Sequence, residues 1–343
     1  MENQWSDSTR RHHPIKRKKM NTVTKDLCKH INRAGMALLL VLSACSNDGL
    51  PGLPGKTDDM QVPLRMAGAT AGNGIGVQTR ADSRTELTSG SIGMFLKEDA
   101  AHGYAALTNL RFTYGTPFWH TDEQILLGDV PAALAAYYPY NAGRVNPVML
   151  HCQRYSAGED LHYVNFQANN EVSNVTLNLS RIYSRIVFNF KGDAAYMGAG
   201  YVTAIHFDGA GITPVAMLDM LDLSVQNIGG SVRDILDPFT GLHVAEISGF
   251  DTQFTAADPA KKTADCLMIP YQLKGDITFT AVVDGVPMEG MVTAEQLCGT
   301  GGILMEGVKY EINITVKPTR LEIGSISKTE WEPVNVDGDY VIQ

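Results

Sequence analysis

The side chain with the best-defined chemistry in this sequence is a cysteine that follows a run of small residues. Leu42-Ser43-Ala44-Cys45 closes a short apolar run, residues 34–42, which only Gly35 interrupts. Basic residues precede the run. A positive start, an apolar middle and small residues at the end are typical of a secretory signal. The run is too short to cross a bilayer as a helix, which takes about 20 apolar residues.

The position of Cys45 adds a second meaning to this signal. A cysteine directly after small residues resembles a bacterial lipobox, in which the thiol is lipidated and the cysteine becomes the first mature residue. We therefore predict that Cys45 is a lipidation site, the alternative being a plain signal peptide with a chance cysteine. Residues 1–44 are then a signal peptide with an N-terminal extension. We expect Met20 to be the real start of the protein. Residues 45–343 form the exported part.

The charge of the chain changes at this predicted cut. Residues 1–45 hold 9 of the 28 Lys and Arg residues and 3 of the 37 Asp and Glu residues. This leaves 19 basic and 34 acidic residues in the exported part, a net charge of −15 for residues 46–343. An acidic chain without a basic cluster repels phosphate backbones, so we expect no nucleic-acid partner. A protein or sugar partner remains open.

Three cysteines follow Cys45, namely Cys152, Cys266 and Cys298. An odd number cannot form a complete disulfide framework. One bridge, such as Cys266–Cys298, is compatible with an oxidising compartment. Three buried thiols are the alternative.

The start of the exported part combines a linker with one strand. Residues 46–59 are rich in Gly and Pro, as expected between a lipid anchor and a folded body. Residues 60–66 alternate apolar and other side chains and predict a first strand, in which Pro63 favours an edge position. Residues 67–76 are small and Gly-rich, and within them we expect residues 72–76 to be a flexible segment.

From residue 91 onward the sequence is a series of short strands and turns, of which the late part is the clearest. Two β-rich runs, residues 277–283 and 286–292, flank Asp284-Gly285, and this dipeptide strongly favours a hairpin because both turn positions need positive φ. Pro287 places the second arm at an edge. Residues 308–316 alternate without a miss. Many short strands at regular spacing predict an all-β protein made of β-sandwiches.

A polar break at residues 168–171 divides the strands into two series. We predict a leader and linker with the first strand at 45–84, an N-terminal β-sandwich domain at 85–170, and a C-terminal β-sandwich domain at 171–343.

Motifs for catalysis are missing. The sequence contains no G-x-S-x-G elbow, no H-E-x-x-H and no Walker A loop. His151, Cys152 and His162 have the chemistry of metal ligands, but their spacing fits no standard site. We therefore predict no enzyme activity, no metal and no cofactor. An aromatic region is expected to pack in the core rather than to stack on sugars; it comprises Phe118, Trp119, Tyr137, Tyr138 and Tyr140.

The order and spacing of several short motifs resemble the fimbrillin family, the type V pilins of Gram-negative Bacteroidetes. Each motif is weak alone, and the match runs from the lipobox to the C-terminus. The motifs are Leu42-Ser43-Ala44-Cys45, Thr79-Arg80-Ala81, Gly93-Met94-Phe95, Trp119, Ala135-Ala136-Tyr137-Tyr138-Pro139, Arg185-Ile186-Val187-Phe188, Ile269-Pro270, Gly307-Val308-Lys309-Tyr310-Glu311-Ile312 and Ile326-Ser327-Lys328-Thr329-Glu330-Trp331.

The resemblance implies two β-sandwich domains of transthyretin-like topology and a route to the outer membrane as a lipoprotein anchored at Cys45. In the family a protease cuts after an arginine and removes the leader with the first strand, and a strand from another subunit fills the open groove. Carried over, Arg80 is the first cleavage candidate and Arg84 the second. The alternative is that both are solvated loop arginines.

The C-terminal residues are the expected donor of such a strand. After Trp331 an alternating pattern is interrupted by Gly338, so a short donor strand and a disordered end are both open. The alternating residues are Val334, Val336, Tyr340 and Ile342.

The function that follows is a structural subunit of a cell-surface fimbria, as stem, tip or anchor, assembled by protease-triggered donor-strand exchange and mediating adhesion. The expected partners are other fimbrial subunits, a maturation protease, a host or bacterial surface ligand, and the outer membrane through the lipid. The alternative is a monomeric surface lipoprotein that binds a glycan or a protein.

Overall fold

A computed structural model describes residues 61–73, 84–222, 244–254 and 262–332, all within the unit Lys56–Gln343. These residues form strands almost throughout, which confirms the predicted all-β class. The strands are β1 (Val62–Pro63), β2 (Arg65–Gly72), β3 (Thr85–Glu86), β4 (Ser91–Leu96), β5 (Leu107–Gly115), β6 (Phe118–His120), β7 (Leu126–Leu127), β8 (Ala132–Tyr138), β9 (Val148–His151), β10 (Gln153–Arg154), β11 (His162–Ala168), β12 (Asn174–Arg181), β13 (Ser184–Gly192), β14 (Tyr201–Ala210), β15 (Val215–Leu218), β16 (Val244–Gln253), β17 (Lys262–Met268), β18 (Lys274–Val283), β19 (Val286–Thr293), β20 (Val308–Val316) and β21 (Leu321–Glu330).

Helical structure in the described part is limited to short segments. One α-helix, α1 (Ala294–Cys298), begins at Thr293, whose side chain and that of Gln296 form a capping box. Single 3-10 turns lie at Ala100–His102 and Ala157–Glu159. None of the helices in the described ranges has the length and hydropathy needed to cross a membrane.

An eight-stranded sheet holds the first half of the described chain, in the order β3-β2-β12-β11-β8-β4-β5-β6. The edge strand β6 lies against β2 near the other edge, so the sheet curls around one core. Alternate side chains of its strands point into this core because successive residues of a strand face opposite sides. Buried members include Met94, Phe112, Trp119, Leu134 and Leu177.

Two further sheets form a sandwich from the second half. A five-stranded sheet has the order β10-β17-β13-β20-β21, and a four-stranded sheet has the order β16-β14-β18-β19. Aromatic rings fill the space between them: the ring centroid of Phe188 lies 5.6 Å from that of Phe207 and 5.3 Å from that of Phe279. This packing gives the sandwich its apolar core.

The predicted hairpin and the predicted alternating strand are both present. Asp284 and Gly285 connect β18 to β19 with φ angles of 51° and 79°. Pro287 lies in β19, which is an edge strand as predicted. In β20 the buried residues alternate from Val308 to Val316.

A third core cluster lies where the outer face of the first sheet meets the second half of the chain. It includes Phe95, Tyr137, Leu150, Ile182 and Trp331. Trp331, directly after β21, is 1% exposed. Trp331 is therefore packed into the middle of the folded unit, whereas Glu332, the last described residue, is exposed.

Two expectations need correction or completion. The first strand was expected at residues 60–66, whereas β2 runs on to Gly72. The reason is that pairing with β12 supplies the backbone partners that the low strand propensity of Ala and Gly does not predict. Residues 74–76 of the expected flexible segment lie outside the described residues. Of the two cysteine alternatives, the structure has the free thiols, since Cys152, Cys266 and Cys298 form no disulfide.

The predicted domain boundary near residue 170 stays a prediction. β12, which follows that position, belongs to the eight-stranded sheet, and β13 belongs to the five-stranded sheet. This pairing favours a boundary after Arg181.

Candidate functional site: the N-terminal strand and its groove

The N-terminal strand β2 is an internal strand of the eight-stranded sheet. It pairs in parallel with β12 from Arg65 opposite Asn174 to Gly72 opposite Ser180, with a register shift between Val175 and Thr176. Parallel strands need a long connection, and here more than a hundred residues separate the two strands. A side-chain hydrogen bond of 2.9 Å from Thr70 Oγ1 to Asn178 Oδ1 also joins them. β2 is therefore held by the sheet and not by its neighbours in sequence.

The other edge of β2 is only partly covered. β3 pairs with it at two positions, Thr70 with Glu86 and Ala71 with Thr85. One more backbone hydrogen bond, 2.9 Å long, joins Leu87 N to Ala69 O. Most of the hydrogen bonding of β2 thus depends on β12.

Apart from Met66, the side chains that β2 places in the core are small. Met66 is 3% exposed, Ala69 is 1% exposed and Ala71 is fully buried. Burial stabilises by about 0.8 kcal/mol per CH₂ group, so the alanines contribute little apolar surface each. Removal of β2 would uncover the inward-facing Leu177 and Leu179 of β12 and leave a narrow groove along that strand.

Arg84 lies directly before β3, at the end of the connection from β2. It is half-buried, and its Nη1 donates a hydrogen bond of 3.3 Å to the carbonyl oxygen of Leu179 in β12. Arg84 therefore packs on the groove strand and is not a freely solvated loop residue.

A buried ion pair closes the end of β12. Arg181 is 1% exposed and Asp160 is 5% exposed. The Arg181 Nε atom donates to both carboxylate oxygens of Asp160, at 3.1 and 3.0 Å. A buried pair of this kind is costly to desolvate, and loss of either partner leaves an uncompensated charge.

Asn73, directly after β2, joins this pair to the C-terminal end of the described chain. Its Oδ1 accepts a hydrogen bond of 2.5 Å from Arg181 Nη1. Its Nδ2 donates one of 3.0 Å to the carbonyl oxygen of Trp331. The guanidinium carbon of Arg181 lies 4.3 Å from the centre of the Trp331 ring, in cation–π range.

His162 is the titratable group of this junction. It is 1% exposed, its Nδ1 lies 2.8 Å from the carbonyl oxygen of Asp160, and its Nε2 has no hydrogen-bond partner in the described part of the chain. Burial lowers the pKa of His162 to about 4; the Asp160 carboxylate opposes this shift, and the cations Arg181 and Arg84 add to it. The imidazole is accordingly neutral at physiological pH.

Several predicted site residues fall outside the described residues. They are Cys45, Arg80, Val334, Val336, Tyr340 and Ile342. Their roles stay predictions. Within the described ranges, no group of three or more His, Cys, Asp or Glu side chains is arranged to hold a metal.

The aromatic region packs largely as expected. Tyr137, Tyr138 and Trp119 are buried, and the rings of Tyr137 and Tyr140 stack with centroids 6.5 Å apart. Phe118 differs from the expectation and is 60% exposed. Since Trp119 points into the core from the short strand β6, its neighbour Phe118 must point outward.

Sequence reasoning missed the junction of Asn73, Asp160 and Arg181, although one signal for it exists. In β12 the inward positions run Val175, Leu177, Leu179 and then Arg181. An arginine at an inward position of an alternating strand indicates a buried, paired charge.

The sequence profile of the fimbrillin-like family matches residues 68–331, and the chain belongs to that family. The match begins inside β2 and ends at Trp331, so it includes the groove and the junction described above. No curated protein matches the chain.

Three solved structures are similar to this chain. A candidate cell adhesion protein from Bacteroides uniformis has 16% identity and a TM-score of 0.48, with 80% of this chain and 99% of that chain covered. One from Bacteroides ovatus has 14% identity and a TM-score of 0.47, with 79% and 98% covered. The tip fimbrial protein Mfa3 from Porphyromonas gingivalis has 9% identity and a TM-score of 0.38, with 79% and 100% covered.

Proposed function

We propose that this chain is a non-enzymatic structural subunit of a cell-surface fimbria that assembles by strand exchange. The observation that carries the proposal is the position of β2. It is an internal strand of the eight-stranded sheet, yet all of it precedes Arg80 and Arg84. A single cut after either arginine separates β2 from the chain, together with β1 of the small sheet β1-β7, while every other strand of the eight-stranded sheet stays covalently connected.

The vacated groove has the features that strand addition needs. β12 would present unpaired backbone groups along Asn174–Arg181, and an exposed strand edge is a template for another strand. Main-chain hydrogen bonds then provide affinity, and pockets for alternate side chains provide selectivity. The proposed donor is the alternating Val334, Val336, Tyr340 and Ile342 of another subunit.

In the proposed sequence of events, Cys45 is lipidated, the chain reaches the outer membrane, and a maturation protease cuts. We favour Arg80 over Arg84 as the cleavage site because Arg84 is half-buried and donates to the backbone of β12. Exposed and weakly bonded segments are the preferred sites of proteolysis. Adhesion to a host or bacterial surface ligand is the proposed role of the assembled fimbria.

The test is mass spectrometry of the protein taken from the native cell surface, together with gel electrophoresis in SDS without heating. We expect an N-terminus at Ala81, or at Thr85 if Arg84 is the site, with a ladder of SDS-resistant oligomers. The variants Arg80→Ala and Arg84→Ala identify the site, and the double variant should abolish the ladder. A lipidated Cys45 as the sole N-terminus without a ladder would contradict assembly by strand exchange. That result would favour the monomeric binding lipoprotein.

A further inference from the structure

The junction at the end of β2 holds the C-terminal end of the described chain more firmly than an ordinary strand end. Trp331 is 1% exposed. One face of its ring lies 4.3 Å from the guanidinium carbon of Arg181, and the guanidinium carbon of Arg185 lies 5.4 Å from the ring centre. The ring of Tyr155 meets it edge-on at 5.9 Å. Trp331 therefore anchors the C-terminal end of the described chain.

Among the described residues that precede Arg80, Asn73 contributes to this junction through its side chain. Asn73 accepts from Arg181 Nη1 and donates to the Trp331 carbonyl oxygen, at 2.5 and 3.0 Å. Arg181 is itself held by Asp160. Hydrogen bonds with a charged partner are stronger than neutral ones, and linked bonds in a buried site support one another. One amide thus connects the segment before the cleavage candidates to the segment at the C-terminus.

We infer that Asn73 is a latch that keeps Trp331, at the C-terminal end of the described chain, bound to its own subunit until β2 leaves. The inference rests on the proposed function, since Asn73 precedes both Arg80 and Arg84 and leaves with β2 after the cut. Once Asn73 is gone, the Trp331 carbonyl loses its donor and Arg181 Nη1 loses its acceptor. Asp160 still holds Arg181 in place, whereas the Trp331 backbone has lost its hydrogen bond to Asn73.

The latch links the two halves of strand exchange. In a subunit that still contains β2, the groove is filled and the backbone of Trp331 is bound by Asn73. Loss of β2 opens the groove and releases Trp331 in the same event. Polymerisation before the cut is thereby blocked at both ends of the subunit.

The latch can be tested in the uncut full chain by tryptophan fluorescence. Trp5→Phe and Trp119→Phe leave Trp331 as the only tryptophan of the three in the sequence. In this background we compare Asn73→Ala with Thr70→Ala, a matched control. Thr70 also lies at β2 and also bonds to β12, through Asn178, but it does not touch the junction. We expect Asn73→Ala alone to raise the acrylamide quenching constant of Trp331 several-fold and to shift its emission to longer wavelength.

Unchanged quenching in Asn73→Ala would overturn the latch, because Arg181, Arg185 and Tyr155 would then hold Trp331 without it. Equal increases in both variants would also overturn it, since they would reflect a general loosening of β2. A circular dichroism spectrum like that of the parent chain verifies that each variant keeps its sheets.

Limited digestion with trypsin separates the latch from the proposed function. Loss of β2, read by mass spectrometry, with exposure of Trp331 supports both. Loss of β2 with Trp331 still buried overturns the latch and leaves strand exchange standing. Retention of β2 after the cut in the presence of other subunits contradicts strand exchange, and the Asn73→Ala comparison then decides the latch alone.

Discussion

The described part of the chain contains two parallel strand pairs, and they differ in how firmly β2 of one pair and β20 of the other are held. β2 pairs with β12 in the eight-stranded sheet, and β20 pairs with β13 in the five-stranded sheet. β12 and β13 follow one another in sequence. β20 is also paired along its length with β21, from Val308 to Val316, whereas the second neighbour of β2 pairs at two positions only. Backbone hydrogen bonding alone therefore makes β2 the more replaceable strand.

The side chains increase this difference. The core-facing residues of β20 are Val308, Tyr310, Ile312, Ile314 and Val316. Those of β2 are mainly Met66, Ala69 and Ala71. Since apolar burial stabilises in proportion to the surface removed from water, β20 contributes far more to its core than β2 does. A strand that buries little apolar surface can be exchanged for another strand at low cost in stability, whereas a strand that buries large side chains cannot.

The first prediction concerns the charge that holds the end of the groove strand. Asp160→Ala removes the partner of Arg181 and leaves a buried, unpaired guanidinium, so we expect the free energy of unfolding to fall by about 3–5 kcal/mol. Chemical denaturation followed by circular dichroism measures it. Asp99→Ala is the control, because Asp99 pairs with His102 on the surface, and its unfolding midpoint should not move. An unchanged midpoint in Asp160→Ala would contradict a buried ion pair.

The second prediction concerns the permanent strand. Ile312 in β20 is 1% exposed, and Ile312→Ala should lower the free energy of unfolding by about 2–5 kcal/mol through lost burial and the cavity left behind. Denaturation as above measures the loss. If Ile312→Ala destabilised no more than changes in β2 do, the comparison between the two strands would fail.

The third prediction concerns pH. The unfolded chain has an ordinary histidine, with a pKa of 6.5, whereas His162 in the fold has a pKa of about 4. Below pH 6.5 the unfolded state takes up a proton that the folded state does not. Stability is then fully present above pH 6.5 and falls as the pH drops to 4, by up to about 3 kcal/mol.

The control for this pH dependence is His162→Gln, which cannot titrate. Unfolding midpoints from pH 7 to pH 4 should show the extra loss in the parent chain and not in the variant. Parallel curves would mean that His162 is not buried in the neutral form. The groups facing the imidazole are Asp160, Arg181, Arg84 and the ring of Tyr138.

The smallest expected effect belongs to β2. Ala69→Gly removes one buried methyl group and adds backbone freedom, and we expect a loss of about 1 kcal/mol. The comparison with Ile312→Ala under identical conditions sharpens the difference between the strands. A loss as large as that of Ile312→Ala would show that β2 is as firmly packed as β20.

The sequence predicts the regular parts of this fold well. Unbroken alternation from Val308 to Val316 identifies β20, and Asp284-Gly285 identifies the hairpin, because both signals are local. The length of β2 is not predictable in this way. Its Ala and Gly residues have low strand propensity, and its partner β12 lies over a hundred residues away. The junction was not predicted for a similar reason: Asn73 meets Arg181 through the parallel pairing of β2 with β12, and Asp160 meets it through the antiparallel pairing of β11 with β12.

The most direct test of the central claim compares hydrogen exchange in β12 and β13 before and after the cut. The chain is digested at Arg80 or Arg84, and β2 is then displaced by added subunits or by a peptide of residues 334–343. Hydrogen exchange is measured by mass spectrometry before the cut, after β2 has left and after a donor has bound. If β2 is the replaceable strand, amides of Asn174–Arg181 lose protection when it leaves and regain it when a donor binds. Those of Ser184–Gly192 stay protected throughout. Full protection of β12 after loss of the leader, or equal loss in both strands, would contradict the account.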